Sequence, residues 1–235
     1  MQLNMKKREI TPIAHIRTDF PEKFGIPRQS GLVPELLGEI VFEEEFKNDD
    51  ALRGIEGFSH LWLIFDFSKA HREGFTPTVR PPRLGGNERI GVFASRSPFR
   101  PNSLGLSCVR LVEVRKGTKN GTTLVVGGAD LLDMTPIYDI KPYIPYADCH
   151  IDSVGAYTET VPKKVLSVNV PDDVREILGG KLDAVTGCIA EDPRPSYQDD
   201  PERIYSMAFA DFDIHFRVRE GTAYIISVDE RGEIK

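Results

Sequence analysis

The stretch from Pro77 to Ser107 constrains the fold more than any other part of this sequence, because its prolines and glycines exclude a long helix. It reads PTVRPPRLGGNERIGVFASRSPFRPNSLGLS. Proline fixes φ and removes a backbone donor, so these side chains are presented by stiff loops rather than by a regular element. The rest of the chain has to supply the core that holds these loops.

Strands are predicted on both sides of this stretch. Residues 60–67 (HLWLIFDF) are nearly continuous in apolar and aromatic residues, which is typical of a strand buried on both faces. Residues 104–114 and 122–126 are two further strand candidates, and Asn120-Gly121 between them is a strong hairpin signal. Two shorter strand candidates precede them, at Ile10–Arg17 and Glu39–Phe46.

The second half of the chain changes to short helices followed by a hairpin. Pro171 opens an amphipathic helix that Gly179-Gly180 closes, and residues 182–189 carry the apolar face of a second helix. Residues 204–218 then alternate between apolar and polar, and a turn leads into a last strand at 223–228. The polar stretch from Ile151 to Lys164 separates this module from the strand-rich body. We therefore predict two domains, residues 1–155 and residues 156–235.

Charge singles out the Pro77–Ser107 stretch again. The chain of 235 residues has a formal net charge of -6, so a chain-wide basic surface is excluded and an anionic partner needs a local patch. The stretch has one acid, Glu88, and five arginines: Arg80, Arg83, Arg89, Arg96 and Arg100. Guanidinium groups suit planar recognition of carboxylates, phosphates and base faces. The alternative is that these arginines only pair with surface carboxylates such as those of Glu43 to Glu45.

Several function classes lack their sequence signatures. There is no GxGxxG after a strand and no GxxxxGK[ST], which leaves a Rossmann cofactor site and a P-loop without support. The three cysteines are widely spaced and form no CxxC pattern, so we expect neither a zinc site nor disulfides. The N-terminus has no apolar h-region, and no apolar run is long enough to cross a bilayer. We therefore expect a cytoplasmic protein with no metal and no membrane contact.

Two more segments concentrate residues that can carry chemistry. Residues 127–148 place Asp130, Asp133 and Asp139 among apolar residues and prolines, and residues 191–197 (EDPRPSY) hold an arginine and a tyrosine near prolines. A carboxylate within hydrogen-bond reach of a reacting group can act as a general base. For each aspartate, a role in a turn or a helix cap is at least as good an interpretation.

Together these segments resemble the TsaA/TrmO family of S-adenosylmethionine-dependent tRNA methyltransferases. The resemblance covers nearly the whole chain, and the long arginine-rich string is its most specific part. The segments that carry it are FGIPRQSGLV (24–33), RGIEGFSHLWLIFDF (53–67), RPPRLGGNERIGVFASRSPFRPNSLGLS (80–107), DLLDMTPIYDIKPYIPYAD (130–148) and EDPRPSY (191–197). The sequence departs from the common pattern in RPNSLGLS, where proline often follows the asparagine, and in DMTP, where glycine commonly precedes TP. These departures remove no charged group.

The resemblance implies a mainly β fold with α+β character. A non-Rossmann, β-barrel-like domain binds S-adenosylmethionine, and a small α/β domain follows it. The resemblance further implies a homodimer that acts on tRNA. The implied substrate is N6-threonylcarbamoyladenosine just 3′ of the anticodon, typically in threonine tRNA, and the implied product is its N6-methyl form.

Carried over residue by residue, the resemblance also implies which residues bind the cofactor and the RNA. The cofactor set is Arg28, Gln29, Ser68, Lys69, Arg96, Leu106, Asp130, Leu131, Leu132 and Asp133. The arginines that suit phosphate and anticodon-loop contacts are Arg80, Arg83, Arg89, Arg100 and Arg194.

The expected mechanism is an in-line displacement, in which alignment matters most and no metal is needed. The acceptor nitrogen belongs to a urea-like group and is a poor nucleophile, so a carboxylate that draws off its proton assists the transfer. The hypothesis is that Asp133, Asp139 or Asp192 is this base, and that Tyr197 or Arg194 orients it.

Two other classes of function remain open. One is a regulatory module that binds S-adenosylmethionine without transferring its methyl group. The other is a methyltransferase that acts on a different RNA base or on a small metabolite. The methylated nucleosides of cells that lack the protein distinguish all three.

Overall fold

The computed structural model describes residues 8–86, 88–160, 165–195, 198 and 200–232. Strands predominate in this part of the chain, and its helices are short. The strands are β1 (Ala14–Thr18), β2 (Leu37–Phe42), β3 (His60–Asp66), β4 (Thr78–Val79), β5 (Ile90–Gly91), β6 (Leu104–Thr118), β7 (Gly121–Gly127), β8 (Thr135–Pro142), β9 (Ser167–Asn169), β10 (Tyr205–Phe209), β11 (Phe212–Arg219) and β12 (Thr222–Glu230). The α-helices are α1 (Pro145–Asp148), α2 (Tyr157–Thr160), α3 (Asp172–Leu178) and α4 (Leu182–Ala190). Turns of 3-10 helix lie at Glu44–Phe46, Asp49–Leu52, Ile55–Gly57, Pro82–Leu84, Val92–Ala94 and Gly179–Lys181.

Six strands close into an antiparallel barrel in the order β1-β2-β7-β6-β3-β8, and β8 pairs back onto β1. Closure leaves no unpaired sheet edge. β6 and β7 form the hairpin that Asn120-Gly121 predicts, and Gly121 has the positive φ of 81° that this turn favours. The barrel expected from the family resemblance is confirmed.

The interior of the barrel is filled by every second residue of its strands. On β3, Leu61, Leu63 and Phe65 point inward and are at most 4% exposed. Trp62 lies on the outer face and is half-buried against Tyr143, with 5.8 Å between the ring centroids. The prediction that this strand is buried on both faces is therefore wrong for its outer face, because a barrel strand has only one side in the core.

The C-terminal module is a sheet in the order β10-β11-β12-β9, with α3 and α4 in the same apolar core. The two helices agree with the sequence prediction in position and extent. The alternating run at residues 204–218 is two strands rather than one, because the chain turns between β10 and β11 at Ala210, whose φ is 49°. None of the helices in the described ranges is long and apolar enough to span a membrane.

The connection between β1 and β2 belongs to both halves of the molecule. Its residues Phe20, Val33 and Leu36 are at most 3% exposed, and they pack in the core of the C-terminal module. The same connection is fastened to the end of β7, where Gly31 N donates to Gly128 O (2.9 Å) and Gly128 N donates to Leu36 O (2.8 Å). Residues 19–36 therefore hold the barrel rim against the C-terminal module.

Candidate functional site

Asp130 lies at the rim of the barrel, shortly after the end of β7, and it is partly buried. Ser107 Oγ, which comes from the neighbouring strand β6, donates a 2.6 Å hydrogen bond to Asp130 Oδ1. Burial raises the pKa of the Asp130 carboxyl, although the Ser107 hydroxyl and the Arg96 guanidinium act in the opposite direction. A carboxyl with a perturbed pKa near a cation is typical of functional sites.

A series of hydrogen bonds leads from Arg96 to the C-terminal module. Arg96 Nη1 donates to Gln29 Oε1 at 2.5 Å, and Gln29 Nε2 donates to the Arg28 carbonyl oxygen. Arg28 Nη2 in turn donates to the Arg194 carbonyl oxygen at 3.3 Å. Three segments that lie far apart in the sequence therefore meet at one place: the arginine-rich stretch, the β1–β2 connection and the EDPRPSY segment.

The far end of this series is a nearly buried ion pair. Arg194 Nε and Nη2 donate to the two carboxylate oxygens of Asp192, at 2.7 Å and 3.0 Å. The two side chains are only 11% and 13% exposed. The φ of Asp192 is 50°, a left-handed conformation that is uncommon outside glycine and that collects at functional sites. The bidentate contact fixes the orientation of the carboxylate.

A cleft of about 400 Å³ opens beside this ion pair. Its lining includes Lys23 and Arg28 from the β1–β2 connection, and Cys188 and Asp192 from the end of α4 and the segment after it. Burial raises the pKa of the Cys188 thiol to about 12, so this thiol is neutral at physiological pH and is not a nucleophile. Cations and a carboxylate beside apolar surface suit a ligand that has both polar and apolar parts.

The other residues implied for the cofactor differ in their exposure and in what they contact. Leu106 points outward from β6 and is 57% exposed, whereas Leu131 is 2% exposed in the barrel core and offers a ligand only its backbone. Leu132 is half-buried, and its carbonyl oxygen accepts the Thr135 hydroxyl. Ser68 and Lys69 follow β3, and the Lys69 carbonyl oxygen accepts a 2.7 Å hydrogen bond from Nζ of the cleft residue Lys23.

Two of the three candidate bases have other partners. Asp133 Oδ1 accepts the Thr18 backbone N–H at 2.9 Å, which ties the end of β1 to the segment before β8. Asp139 lies on β8, where its carboxylate accepts the Ile140 N–H and pairs with Lys141 at 3.0 Å. Neither contact links these aspartates to Gln29, Arg96 or Arg194. Tyr197 lies outside the described residues.

The arginines of the Pro77–Ser107 stretch play different parts. Arg80, Arg89 and Arg96 are exposed, and within the described part of the chain no carboxylate forms an ion pair with them. Arg100 is used internally, because Nη1 donates to the carbonyl oxygens of Val92 (3.2 Å) and Ser95 (2.7 Å). Nothing is described of the Arg83 side chain. Among the side chains that the structure describes, none of these arginines pairs with Glu43, Glu44 or Glu45; Glu43 contacts His15 and Glu44 contacts Lys47.

Sequence reasoning missed two residues that shape this site. Ser107 is part of the arginine-rich string, but a serine in a strand carries no signal of its own. Lys23 lies in an irregular loop, and its contact with Lys69 joins residues 46 positions apart in the sequence. Only the folded chain reveals such a contact.

The donor set fits a nucleoside cofactor better than a metal. The Asp130 carboxylate can accept ribose hydroxyl protons, the guanidinium of Arg96 can bind a carboxylate, and Leu106 offers apolar surface to a base. No cluster of three or more potential metal ligands occurs among the residues that the structure describes.

Comparison with known proteins agrees with this architecture. The model of the tRNA-methyltransferase O N-terminal domain matches residues 15–149, and that of the TrmO C-terminal domain matches residues 173–231. A tRNA (adenine(37)-N6)-methyltransferase of Escherichia coli K12 is 39% identical over 236 residues, which cover 97% of this chain and 100% of the relative. A Pseudomonas aeruginosa protein, provisionally named an S-adenosylmethionine-dependent methyltransferase, is 40% identical over 88% of this chain and 91% of its own length.

The crystal structure of TrmO from Pseudomonas aeruginosa superposes with a TM-score of 0.77 and 32% sequence identity. The match covers 97% of this chain and 100% of that one, so it includes both the barrel and the C-terminal sheet. The closed barrel and the C-terminal module thus both have counterparts in one group of proteins, and this chain belongs to the tRNA-methyltransferase O family.

Proposed function

We propose that this chain is an enzyme that uses S-adenosylmethionine to methylate N6 of adenosine 37 in tRNA. The observation that carries the proposal is the series of contacts from Arg96 through Gln29 and Arg28 to Arg194. It joins the residues implied for the cofactor to the segment implied for chemistry. The name of the Escherichia coli relative, tRNA (adenine(37)-N6)-methyltransferase, supports the same reaction.

The proposed cofactor site consists of the barrel rim and the β1–β2 connection. S-adenosylmethionine supplies a methyl group already activated on a sulfonium, so alignment of donor and acceptor is the main task of the protein. The Arg96 guanidinium links two of the polar groups of this site. It donates a hydrogen bond to the Gln29 amide and acts electrostatically on the Asp130 carboxylate, which is a hydrogen-bond acceptor. Arg28, Ser68, Lys69, Leu106 and the backbone from Leu131 to Asp133 complete the proposed site.

Asp192 is the proposed general base. A carboxylate has about four lone-pair sites. Arg194 uses two of them, so the others are left for the N–H of the acceptor nitrogen. The N–CH₃ bond would form as the methyl–sulfonium bond breaks and S-adenosylhomocysteine leaves. The proton of the acceptor nitrogen would pass to Asp192, while Arg194 keeps the carboxylate oriented. Asp133 and Asp139 are weaker candidates. Asp133 accepts the backbone N–H of Thr18 at the end of β1, and Asp139 pairs with Lys141 on β8.

The proposed RNA contacts are the exposed guanidiniums of Arg80 and Arg89, together with Arg83. Each phosphate contact that is lost lowers the slope of log K against log salt by about 0.7–0.9. We therefore expect Arg80→Ala and Arg89→Ala to weaken tRNA binding and flatten its salt dependence. An unchanged slope would rule this role out.

The proposed acceptor carries a threonylcarbamoyl group, typically in threonine tRNA, and the proposed working unit is a cytoplasmic homodimer. Exposed apolar side chains on residues 146–154 support a protein partner, because Tyr146, Ile151 and Val154 are 91%, 96% and 83% exposed. Light scattering on the purified protein gives the oligomeric state directly.

The test of the proposed function is mass spectrometry of tRNA nucleosides from cells that lack the protein. Loss of the N6-methylated threonylcarbamoyl nucleoside alone supports the proposal. Loss of a different methyl mark assigns another acceptor, and an unchanged nucleoside profile favours a regulatory module that binds the cofactor without transferring its methyl group.

Variants assign the base in a second assay, in which the purified protein methylates tRNA. Asp192→Asn keeps the shape of the side chain and removes its basicity, so we expect the rate to fall by about 10²–10⁴-fold. Asp139→Asn discriminates between the candidates, since a comparable loss in that variant would move the role to β8.

A further inference from the structure

Phe93 is the most exposed phenylalanine in the described part of the chain, with 71% of its surface accessible. It lies in the Val92–Ala94 turn of the arginine-rich stretch, three residues before Arg96. Exposure of a whole aromatic ring to water is unfavourable, and clusters of such rings mark interaction sites. The surroundings of this ring indicate what it binds.

The turn that carries Phe93 is held rigidly. Val92, the residue before it, is 1% exposed and anchors the turn in the protein. Arg100 Nη1 donates to the carbonyl oxygens at the two ends of the turn, those of Val92 and Ser95, and Ser95 Oγ also donates to Val92 O at 2.8 Å. These bonds fix the backbone of the turn, and the Cα–Cβ bond of Phe93 is therefore held in a set direction.

Other rings and guanidiniums lie around Phe93. Phe75, which is 55% exposed, stacks on it with 6.2 Å between centroids and 25° between the ring planes. The Arg100 guanidinium carbon is 5.8 Å from the Phe93 centroid. In the same segment, the Arg72 guanidinium carbon lies 3.7 Å from the centroid of the partly exposed Phe99. Residues 72–100 thus contain one pair of stacked rings and two contacts between a guanidinium and a ring.

The charge of the segment around Phe93 indicates which class of molecule it binds. Residues 68–101 contain seven Lys or Arg and two Asp or Glu, although the whole chain has a net charge of -6. An anionic partner is therefore favoured at this surface, and the rings require planar or apolar groups between its charges. Single-stranded RNA has both features, because its bases stack on aromatic side chains and its phosphates attract cations.

We propose that Phe93 is the platform on which an unpaired base of the tRNA anticodon loop stacks, with Phe75 behind it and Arg100 as the positioning residue. This inference rests on the proposed function, because it takes tRNA as the substrate. Phe93 is connected to the proposed methyl-transfer site by the short segment that ends at Arg96, so a base held on the ring positions its neighbours in the loop relative to that site.

The test is the affinity for a synthetic anticodon stem–loop RNA that carries 2-aminopurine in the loop. Phe93→Ala and Phe93→Leu should each lose about 5- to 150-fold in affinity, and the quenching of 2-aminopurine emission on binding should diminish. Phe93→Trp should bind at least as tightly as the unchanged protein, because it keeps a stacking face. The Phe93→Leu variant keeps an apolar side chain but has no ring, so its loss of affinity measures stacking rather than apolar contact.

Phe58→Leu is the matched control, since Phe58 is 40% exposed and lies outside residues 68–101. It should leave the affinity unchanged. Equal RNA affinity for Phe93→Leu and the unchanged protein would overturn the platform, and so would a change in oligomeric state on Phe93→Ala, which would assign the ring to a subunit interface. If the unchanged protein methylates tRNA and only the platform prediction fails, the proposed function stands. If the unchanged protein binds no RNA, both fail.

Discussion

At the scale of single residues, Asp130 at the barrel rim and Asp148 in α1 have carboxyl pKa values displaced in opposite directions. Burial raises the pKa of Asp130, whereas the backbone N–H of Ile144 and the indole N–H of Trp62 lower that of Asp148. The opposite signs give the two residues opposite effects on the pH dependence of stability.

Asp130→Asn should stabilise the protein at neutral pH. An acid whose pKa is raised in the folded state costs stability once it ionises, so the cost is absent below its ordinary value of 3.8 and complete above its raised value. Asparagine can still accept the Ser107 hydrogen bond through its Oδ1. We expect a higher Tm at pH 7, where 1 kcal/mol corresponds to about 2–4 °C, and a smaller difference near pH 4.

Calorimetry of Asp130→Asn and of the surface variant Asp139→Asn at both pH values measures this difference. Asp139→Asn should change little, because its pair with Lys141 is exposed. A lower Tm for Asp130→Asn at pH 7 would mean that the attraction of Arg96 outweighs burial.

Trp62, the only tryptophan of the chain, reports on Asp148. Asp148 Oδ2 accepts both Trp62 Nε1–H at 3.0 Å and Ile144 N–H at 2.8 Å. Because the pKa of Asp148 is lowered, the stability it contributes is present above its ordinary value of 3.8 and is lost only as the pH falls through the lower, folded-state value. We expect Trp62 emission to stay constant on acidification until the pH is below 3.8.

The measurement is an acid titration followed both by Trp62 fluorescence and by circular dichroism. In the Asp148→Asn variant the change in Trp62 emission should be absent. A shift of the emission above the ordinary pKa, with the circular dichroism unchanged, would contradict the assignment.

At the scale of elements, β3 and β6 depend on a glycine at one crowded position. Gly105 pairs with Phe65, and a Cβ on Gly105 would overlap the Phe65 ring inside the barrel. Gly105→Ala should therefore lose about 1–3 kcal/mol of unfolding free energy, as overpacked cores do.

Urea unfolding of Gly105→Ala, Phe65→Leu and the double variant measures the effect. The double variant should lose less than the sum of the two single losses, because the smaller side chain makes room for the methyl group. Gly57→Ala is the control, since a Cβ there has no atom within 4 Å. Strict additivity would show that the overlap is relieved elsewhere.

Elements that are marked by a local sequence signal could be predicted, whereas contacts between distant segments could not. Asn120-Gly121 and the Pro171 and Gly179 signals lead to the correct hairpin and helix because their physics is local. The turn at Ala210 was missed because alanine rarely adopts a positive φ and gives no turn signal. The contacts of Gln29 with Arg96 and of Arg28 with Arg194 have no local pattern at all, so the residues of the candidate site came from the family resemblance and their connections from the fold.

At the scale of the whole molecule, the β1–β2 connection joins the two halves, and Lys181 on the C-terminal side pairs with Asp19 at its start. The predicted boundary near residue 155 stays a prediction, and cutting the chain there tests it. The cut removes the partners of Phe20, Val33 and Leu36, which then face water.

We expect residues 1–155 alone to bind the dye ANS, to aggregate and to lose the cooperative melting of the full chain. Melting curves and dye fluorescence of both proteins measure this. A truncated chain that melts cooperatively near the Tm of the full protein would show that the barrel folds without the C-terminal core.

The route of residues 19–36 has a consequence for how this fold can be inherited. Phe20, Val33 and Leu36 lie between two barrel strands in the sequence but pack in the C-terminal core, so the C-terminal module cannot be exchanged without them. A recombination event that replaces the C-terminal sheet therefore also has to replace residues 19–36, which are encoded between β1 and β2.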